Sequence, residues 1–328
     1  MAERKVGTVM YRHNLSPILA IFRLEPERGS TFPEYEPGQY IALRRENCKL
    51  TRRVTGPDGR PAYVPDLDEF GNQKRGPVAH SYSISSAPFD TLQKGYLEFY
   101  VILEMHEEGT PGRLTESLWQ VNPQGDDKII YFNRITGDFT LAKRAVGFEN
   151  VVMVGTGSGL APFAAVIKQL HFEASRGNSD SVRYTLLHAN RGYQELGYHE
   201  ELSAIEASRR FDFVYVASVS RPASRDFNDP ALGKGRANNL LRYMFDMPLK
   251  EEQELQEAFA RGEDLSRGKE LLARTVKPEL PQHISRKALQ ERMNPQRTVI
   301  LCCGDPLSMA DIKYIADANK IGFEKEDW

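Results

Sequence analysis

Two rhythms of hydrophobic and polar positions divide the chain. Up to about residue 147, short segments alternate apolar and polar residues or are rich in β-branched and aromatic ones: KVGTVMYRHNL, LAIFRLEPE, QYIALRR, HSYSISS, GYLEFYVILEM, DKIIYFN and DFTLAKR. A period of two sends successive side chains to opposite faces of a strand. PGQY, GPDGRP and NPQGDD between them carry the residues that tight turns demand. Many short strands at this spacing, with few amphipathic helices among them, predict an antiparallel barrel or sandwich.

The rhythm changes at Glu149. ENVVMVGTGSG is a near-continuous apolar run ending in glycines, and APFAAVIKQLHFEA follows with helical spacing. YTLLHANR, FDFVYVASVSR and TVILCCGD read as further buried strands, and HEELSAIEASRR and PLSMADIKYIADANK as helices. Buried strands alternating with helices predict a doubly wound parallel sheet. The expected organisation is therefore a β domain over 1–147 and an α/β domain over 148–328. Two segments break the rhythm. Thr51 to Pro77, rich in Pro, Gly and charge, is expected as a long loop, and the charged stretch 249–295 is expected to contain helices. Both read as insertions on a simpler scaffold.

Composition narrows the function. The 328 residues suit two domains. A formal net charge of −2 gives no global reason to expect nucleic-acid binding. The charged start MAERKVGTVMY does not read as a signal peptide, and no run is long and apolar enough to span a membrane. A cytoplasmic protein is expected. Three cysteines, Cys48, Cys302 and Cys303, are too few for a disulfide framework or a four-thiolate iron–sulfur cluster. No metal site is expected.

Three motifs carry chemistry. Gly155-Thr156-Gly157-Ser158-Gly159, followed by Ala161-Pro162, lies between a buried strand and a helix. Glycines there let a backbone approach a phosphate, and the helix start adds N–H groups and partial positive charge. Cys302-Cys303-Gly304-Asp305-Pro306-Leu307-Ser308-Met309 sits at another strand end, where open α/β sheets bind ligands. In His80-Ser81-Tyr82-Ser83-Ile84-Ser85, alternation puts the serines on one face and Tyr82 and Ile84 on the other.

In their order HSYSISS, GRLTESL, GTGSGLAP, CCGDPLSM, these motifs resemble the ferredoxin–NADP reductase family across nearly the whole chain. The resemblance implies an FAD-binding β-barrel followed by an NADP(H)-binding α/β domain, with flavin edge and nicotinamide meeting at the domain cleft. In the family's Arg-x-Tyr-Ser the Tyr packs on the flavin, the Ser hydrogen-bonds its reactive edge and the Arg holds the diphosphate. Tyr82 and Ser83 inherit the flavin roles, next to Ser81, whereas His80 stands in the arginine's place. Gly112-Arg113-Leu114-Thr115 is similar to the second flavin-phosphate element. Thr136-Gly137-Asp138-Phe139 is similar to the segment that ends the barrel, and Pro37-Gly38-Gln39-Tyr40 to a barrel turn.

By the same resemblance Gly155, Thr156, Gly157 and Pro162 form the NADP diphosphate turn, and Cys303, Gly304, Asp305 and Met309 the nicotinamide wall. Arg191, Ser220, Arg221 and Arg236 match positions that hold the 2′-phosphate, and arginines rather than a carboxylate favour NADP over NAD. Trp328 matches the terminal aromatic set against flavin or adenine. Ser83, Cys303 and Trp328 are thus expected at the reacting rings, Cys303 for shape and contact. The implied activity is electron transfer between NADPH and a separate carrier, ferredoxin or flavodoxin. Arg44, Arg45, Lys49, Arg52 and Arg53 form a basic cluster that could dock such a carrier, line a solvated loop or help hold FAD phosphate. The alternatives are an NAD(P)H-dependent reductase component of an oxygenase or other redox system, and a flavin redox sensor or assembly subunit without turnover.

Overall fold

The computed structural model describes residues 3–56, 59, 61–106 and 109–326. The chain forms two compact units, Met1–Asp138 and Phe139–Trp328. The division precedes residue 147 because the intervening segment packs with the second unit. There the Phe139 ring lies 5.8 Å from that of Phe163, and Arg144 pairs with Glu324 at 2.8 Å.

The first unit contains strands β1 (Arg4–Ser16), β2 (Leu19–Glu25), β3 (Tyr40–Lys49), β4 (Thr51–Thr55), β5 (Pro61–Pro65), β6 (Arg75–Ser83), β7 (Leu97–Ile102) and β8 (Lys128–Thr136). Six form one antiparallel sheet in the order β6-β3-β8-β1-β2-β7. The chain after β6 reaches round to the opposite edge. Ser85 N–H donates to Glu98 O at 2.8 Å, and Glu98 N–H donates to Ser86 Oγ at 3.1 Å. This closure puts Phe22, Ile41, Leu43, Leu97, Phe99 and Tyr131 inside. Helix α1 (Pro88–Lys94) precedes β7, and α2 (Arg113–Gln120) adds Leu114 and Leu118, four residues apart on one face, to that core.

Two local expectations need correcting. Thr51–Pro77 is not one long loop: β4 and β5 pair as a hairpin, with Arg53 opposite Tyr63 and Arg52 opposite Val64, and β6 has begun by Arg75. Val54, Tyr63 and Val64 supply strand propensity inside a segment whose Pro and Gly content hid it. DFTLAKR is not a strand either. Leu141–Arg144, four good helix formers, make the short helix α3.

The rest of the second unit comprises β9 (Asn150–Thr156), α4 (Ala161–Ser175), β10 (Arg183–Asn190), α5 (His199–Ser208), β11 (Phe213–Val219), α6 (Ser224–Phe227), β12 (Gly233–Lys234), α7 (Ala237–Met244), α8 (Lys250–Ala260), α9 (Ser266–Arg274), α10 (Arg286–Glu291), β13 (Thr298–Cys303), α11 (Pro306–Ala318) and β14 (Gly322–Lys325). Its six strands are parallel, in the order β12-β11-β10-β9-β13-β14. Every residue of β13 is buried, as continuous apolar strands covered on both faces should be. Helices α8, α9 and α10 occupy the charged stretch after Leu249. On one face Val152, Val154, Ile300 and Cys302 pack against Leu240 of α7 and Ile312 of α11. Polar ties join those two helices at Asp311, which accepts from Arg242 Nη2 and Nε at 2.6 and 3.0 Å and from Asn238 Nδ2 at 2.7 Å. Among the described residues no helix is long and apolar enough to cross a membrane.

Candidate functional site

Strand order selects the place to look. From β9 the chain winds outward through β10, β11 and β12, whereas β13 and β14 lie on its other side. The order therefore reverses between β9 and β13, and the carboxyl ends of those two strands flank the crevice where open α/β sheets bind ligands. Their register runs from Asn150↔Thr298 to Gly155↔Cys303, so the two glycine motifs emerge side by side.

The motifs interlock. Past β9, Gly157–Leu160 make a single 3₁₀ turn, and α4 begins at Ala161 with Pro162 in its first turn. A Cβ on Gly159 would lie 2.2 Å from Cys303 O, and one on Gly304 only 2.1 Å from Thr156 Oγ1. Gly304 also has a φ of +137°, and Asp305 N–H donates to Thr156 Oγ1 at 3.1 Å. These glycines admit the other turn's backbone, not a ligand. Gly155 is similar, since its Cβ would press on Leu160 Cα at 3.0 Å. Gly157 differs: at φ +56° a Cβ would meet nothing within 4 Å, so its backbone borders open space at the start of a long helix. Asp305 caps α11 by accepting from Ser308 N–H at 2.8 Å, and Met309 is buried in the core beneath.

Cys303 is wholly buried in this structure, and its thiol donates to Glu326 Oε2 at 3.1 Å. Burial, and then the neighbouring carboxylate, push its pKa well above the ordinary thiol value. Burial also pushes Cys302 up, to about 12. Glu326 is brought there by β14, which pairs with β13 in parallel, and its N–H donates to Cys302 O at 3.1 Å. Sequence reading had no signal for this partner. Trp328 lies outside the described residues.

The three predicted arginines emerge from three adjacent strand ends. Arg221 N–H donates to Arg191 O at 2.7 Å, and Ser220 N–H to Asn190 O at 2.9 Å. Gly235 N–H donates to Val219 O at 3.0 Å, which brings Arg236, the N-cap residue of α7, to the same edge. All three arginines are exposed, so they form a basic ledge beyond β10, β11 and β12. Arg236 also donates to Glu251 of α8 at 3.1 Å.

In the first unit the remaining predicted residues gather around β6 and α2. Tyr82 pairs across the sheet with Ile41 and Ser83 with Tyr40; Tyr82 packs on the barrel core and Ser83 is buried. Burial, and then the charge of Glu104, hold the Tyr82 phenol above its usual pKa. His80 and Ser81 are exposed. The serine alternation stops at Ser83, where β6 ends. Gly112 caps α2 with no side-chain hydrogen bond, leaving the first-turn N–H groups at Arg113, Leu114 and Thr115 for another acceptor. The Thr115 hydroxyl donates to Gly112 O at 3.1 Å. A Cβ on Gly112 would lie 2.6 Å from Glu104 Oε2, so Glu104 stands beside both motifs.

The basic cluster is largely neutralised. Arg44 pairs with Glu46, Arg45 with Asp126, and Lys49 with Glu116, while Arg52 and Arg53 are exposed on β4. Among the described residues no group of His, Cys, Asp or Glu is arranged to hold a metal ion.

Comparison with known proteins meets this geometry. Residues 153–256 match the oxidoreductase NAD-binding domain family, an interval that takes in the β9 turn and the arginine ledge. A flavohemoprotein of Halalkalibacterium halodurans is 28% identical over 223 residues, 67% of this chain and 44% of that protein. The chain thus spans less than half the length of such relatives. A ferredoxin NADP+ reductase from Neisseria gonorrhoeae, solved with bound FAD and NADP, superposes with a TM-score of 0.57 at 18% identity and covers 99% of both chains. The flavohem-like FAD/NAD-binding domain of nitric oxide dioxygenase from Vibrio cholerae superposes at 0.56 with 18% identity over 98% of both.

Fold and matched domain together give an antiparallel barrel unit followed by a parallel α/β unit that carries the match to the oxidoreductase NAD-binding domain family. The chain has the two-domain fold of the ferredoxin–NADP reductase family, and the resemblance read from the four motifs is borne out at that level.

Proposed function

We propose that the chain is an FAD-dependent oxidoreductase that moves electrons between NADPH and a separate one-electron carrier protein, ferredoxin or flavodoxin. The observation that carries this reading is the pair of interlocked turns at the sheet's switch point, with Gly157 bordering open space and the arginine ledge along the same edge. The nucleotide diphosphate fits at Gly157 and the start of α4, where N–H groups and the helix dipole favour an anion. The 2′-phosphate fits the ledge of Arg191, Arg221 and Arg236, with Ser220 among them. On the nicotinamide side Asp305 is the exposed residue, with Gly304 fixing the turn and buried Cys303 and Met309 supporting it from beneath.

FAD fits the first unit. Tyr82 offers a ring on the barrel wall and Ser83 a hydroxyl beside it, while α2 offers uncapped N–H groups for a diphosphate. His80 stands in the place of the family's arginine and Glu104 opposes an anion there, so Arg113 carries the cationic share. When bound, flavin supplies the change from two-electron to one-electron chemistry. The chain's own residues bind, orient and exclude water. The three buried, unpaired cysteines suit the reducing cytoplasm, where we place the protein.

Anaerobic addition of NADPH to the FAD-loaded protein should bleach the flavin band, and NADH should do so more slowly. An unbleached flavin would overturn the reading and favour a sensor or assembly subunit. A second reading, a reductase module serving an oxygenase or haem partner, is favoured by the match to less than half of each flavohemoprotein. Steady-state rates with ferredoxin, flavodoxin and quinone acceptors separate it from the first.

A further inference from the structure

The three ledge arginines are not equivalent. Arg191 and Arg221 have no acidic partner among the described residues, whereas Arg236 donates Nη1 to Glu251 Oε1 at 3.1 Å. The two partners sit very differently: the Arg236 side chain is 58% exposed and that of Glu251 only 6%. The carboxylate is fixed from a second direction as well, because its Oε2 accepts from Asn239 Nδ2 at 2.8 Å. Asn239 Oδ1 in turn accepts from Lys250 N–H at 3.0 Å, and Arg242 Nη1 donates to Pro248 O at 3.0 Å and Gln253 Oε1 at 2.8 Å. Positions 236, 239 and 242 recur every third residue, along one side of α7. That side holds α8 through polar ties, and one of the ties is made by a ledge arginine.

We propose that Glu251 is a specificity-determining residue that competes with an adenosine 2′-phosphate for Arg236 and so sets how strongly the protein prefers phosphorylated over unphosphorylated dinucleotide. The inference rests on the reading of the ledge as the 2′-phosphate site. Glu251 is the buried, doubly held partner and Arg236 the exposed one, so the guanidinium is the member free to turn. A phosphate arriving at the ledge meets Arg191 and Arg221 unpaired, but must draw Arg236 from a carboxylate. Taking it leaves that carboxylate buried with a single amide donor, which costs free energy. Where the phosphate and the carboxylate share the guanidinium, two anions are brought close, and this also weakens binding. An unphosphorylated ribose has no claim on Arg236 and leaves the pair undisturbed. Glu251 therefore lowers affinity for one ligand class only.

The test uses the full chain, calorimetric titration, and two probes that differ by one phosphate, 2′,5′-ADP and 5′-ADP. Glu251→Gln keeps the shape and the Asn239 contact but removes the charge. It should tighten 2′,5′-ADP about 3- to 10-fold, the net span of one ordinary hydrogen bond, because the half-exposed guanidinium is screened by solvent, and leave 5′-ADP unchanged. Arg236→Ala should weaken 2′,5′-ADP, and adding Glu251→Gln to it should then change nothing further, because the competitor has lost its object. Gln253→Ala cuts another α7–α8 tie without touching Arg236, and it should leave the ratio of the two affinities unchanged. Unchanged or weaker 2′,5′-ADP binding by a folded Glu251→Gln protein would overturn the proposal, since Glu251 would then merely orient Arg236. Equal tightening by Gln253→Ala would overturn it too, by tracing the effect to α8 docking. If neither Arg221→Ala nor Arg236→Ala alters discrimination between the probes, the ledge reading itself fails; if they do and Glu251→Gln does not, only the role of Glu251 fails.

Discussion

Replacing Gly159 by Ala should destabilise the second unit more than the same change at Gly157 or Gly192. The added Cβ would lie 2.2 Å from Cys303 O, 2.4 Å from Cys303 C and 2.5 Å from Gly304 N. All three are backbone atoms, so no side-chain rotation relieves the clash, and the β13 turn must retreat by about 1 Å to reach van der Waals separation. Overpacking of this kind costs roughly 1–3 kcal/mol. The retreat also stretches the Asp305 N–H to Thr156 Oγ1 bond, worth about 1 kcal/mol. At roughly 2–4 °C per kcal/mol for a unit of this size, the melting temperature should fall by about 4–16 °C. Gly157→Ala meets no atom but keeps a φ of +56°, which costs an L-residue about 1–2 kcal/mol. Gly192→Ala has neither clash nor unusual backbone, with φ −140°, and should be close to neutral. Thermal denaturation followed by circular dichroism gives the expected ranking: Gly159 worst, Gly157 intermediate, Gly192 least. A Gly159→Ala protein melting with the Gly192→Ala control would refute the interlocked-turn argument.

Three further outcomes follow from buried groups. His188 is fully buried, with Nδ1 bonded to Tyr215 Oη at 2.9 Å, and burial followed by the nearby His199 lowers its pKa to about 3. The unfolded chain takes up this proton first, so stability is full above about pH 6.5 and falls as pH drops towards 3, by up to about 1.4 kcal/mol per pH unit; chemical denaturation across that window should lose part of the slope in His188→Gln. Cys48, Cys302 and Cys303 are all buried, and burial raises each thiol pKa, so a thiol reagent should react with the native protein only as fast as it opens; rapid labelling of any one would contradict this. Arg242→Leu should cost roughly 3–5 kcal/mol by leaving the buried Asp311 carboxylate without its cation and with Asn238 Nδ2 as its remaining donor, whereas Arg242→Leu with Asp311→Leu should recover part of that loss in a denaturation titration, Asn238 then losing its acceptor.

What could be read from the sequence follows the range of the interactions involved. β9 and β13 were legible because a strand buried on both faces is apolar along nearly its whole length, a signal carried by consecutive residues. The β4–β5 hairpin was not, since Pro, Gly and charge around it outweighed Val54, Tyr63 and Val64. The glycine motifs announced close approach, but not of what. Gly159 and Gly304 are spent on each other's turns, and only Gly157 is left bordering open space. That division depends on β9 pairing with β13, which the intervening strands and helices bring about and no local pattern records. The same reasoning covers the charges. Arg191, Arg221 and Arg236 looked alike as strand-end arginines, each read within its own few residues. Glu251 follows Arg236 only after a full helix and a turn, inside a stretch so rich in carboxylates that none stands out. Its burial distinguishes it: a carboxylate inside must be paired, so the fold commits Glu251 to Arg236 where sequence reading gave all three arginines to the 2′-phosphate alike. The positions at which local reading stopped, Gly159, Glu326 and Glu251, are those whose partners come from a different strand or helix of the same unit.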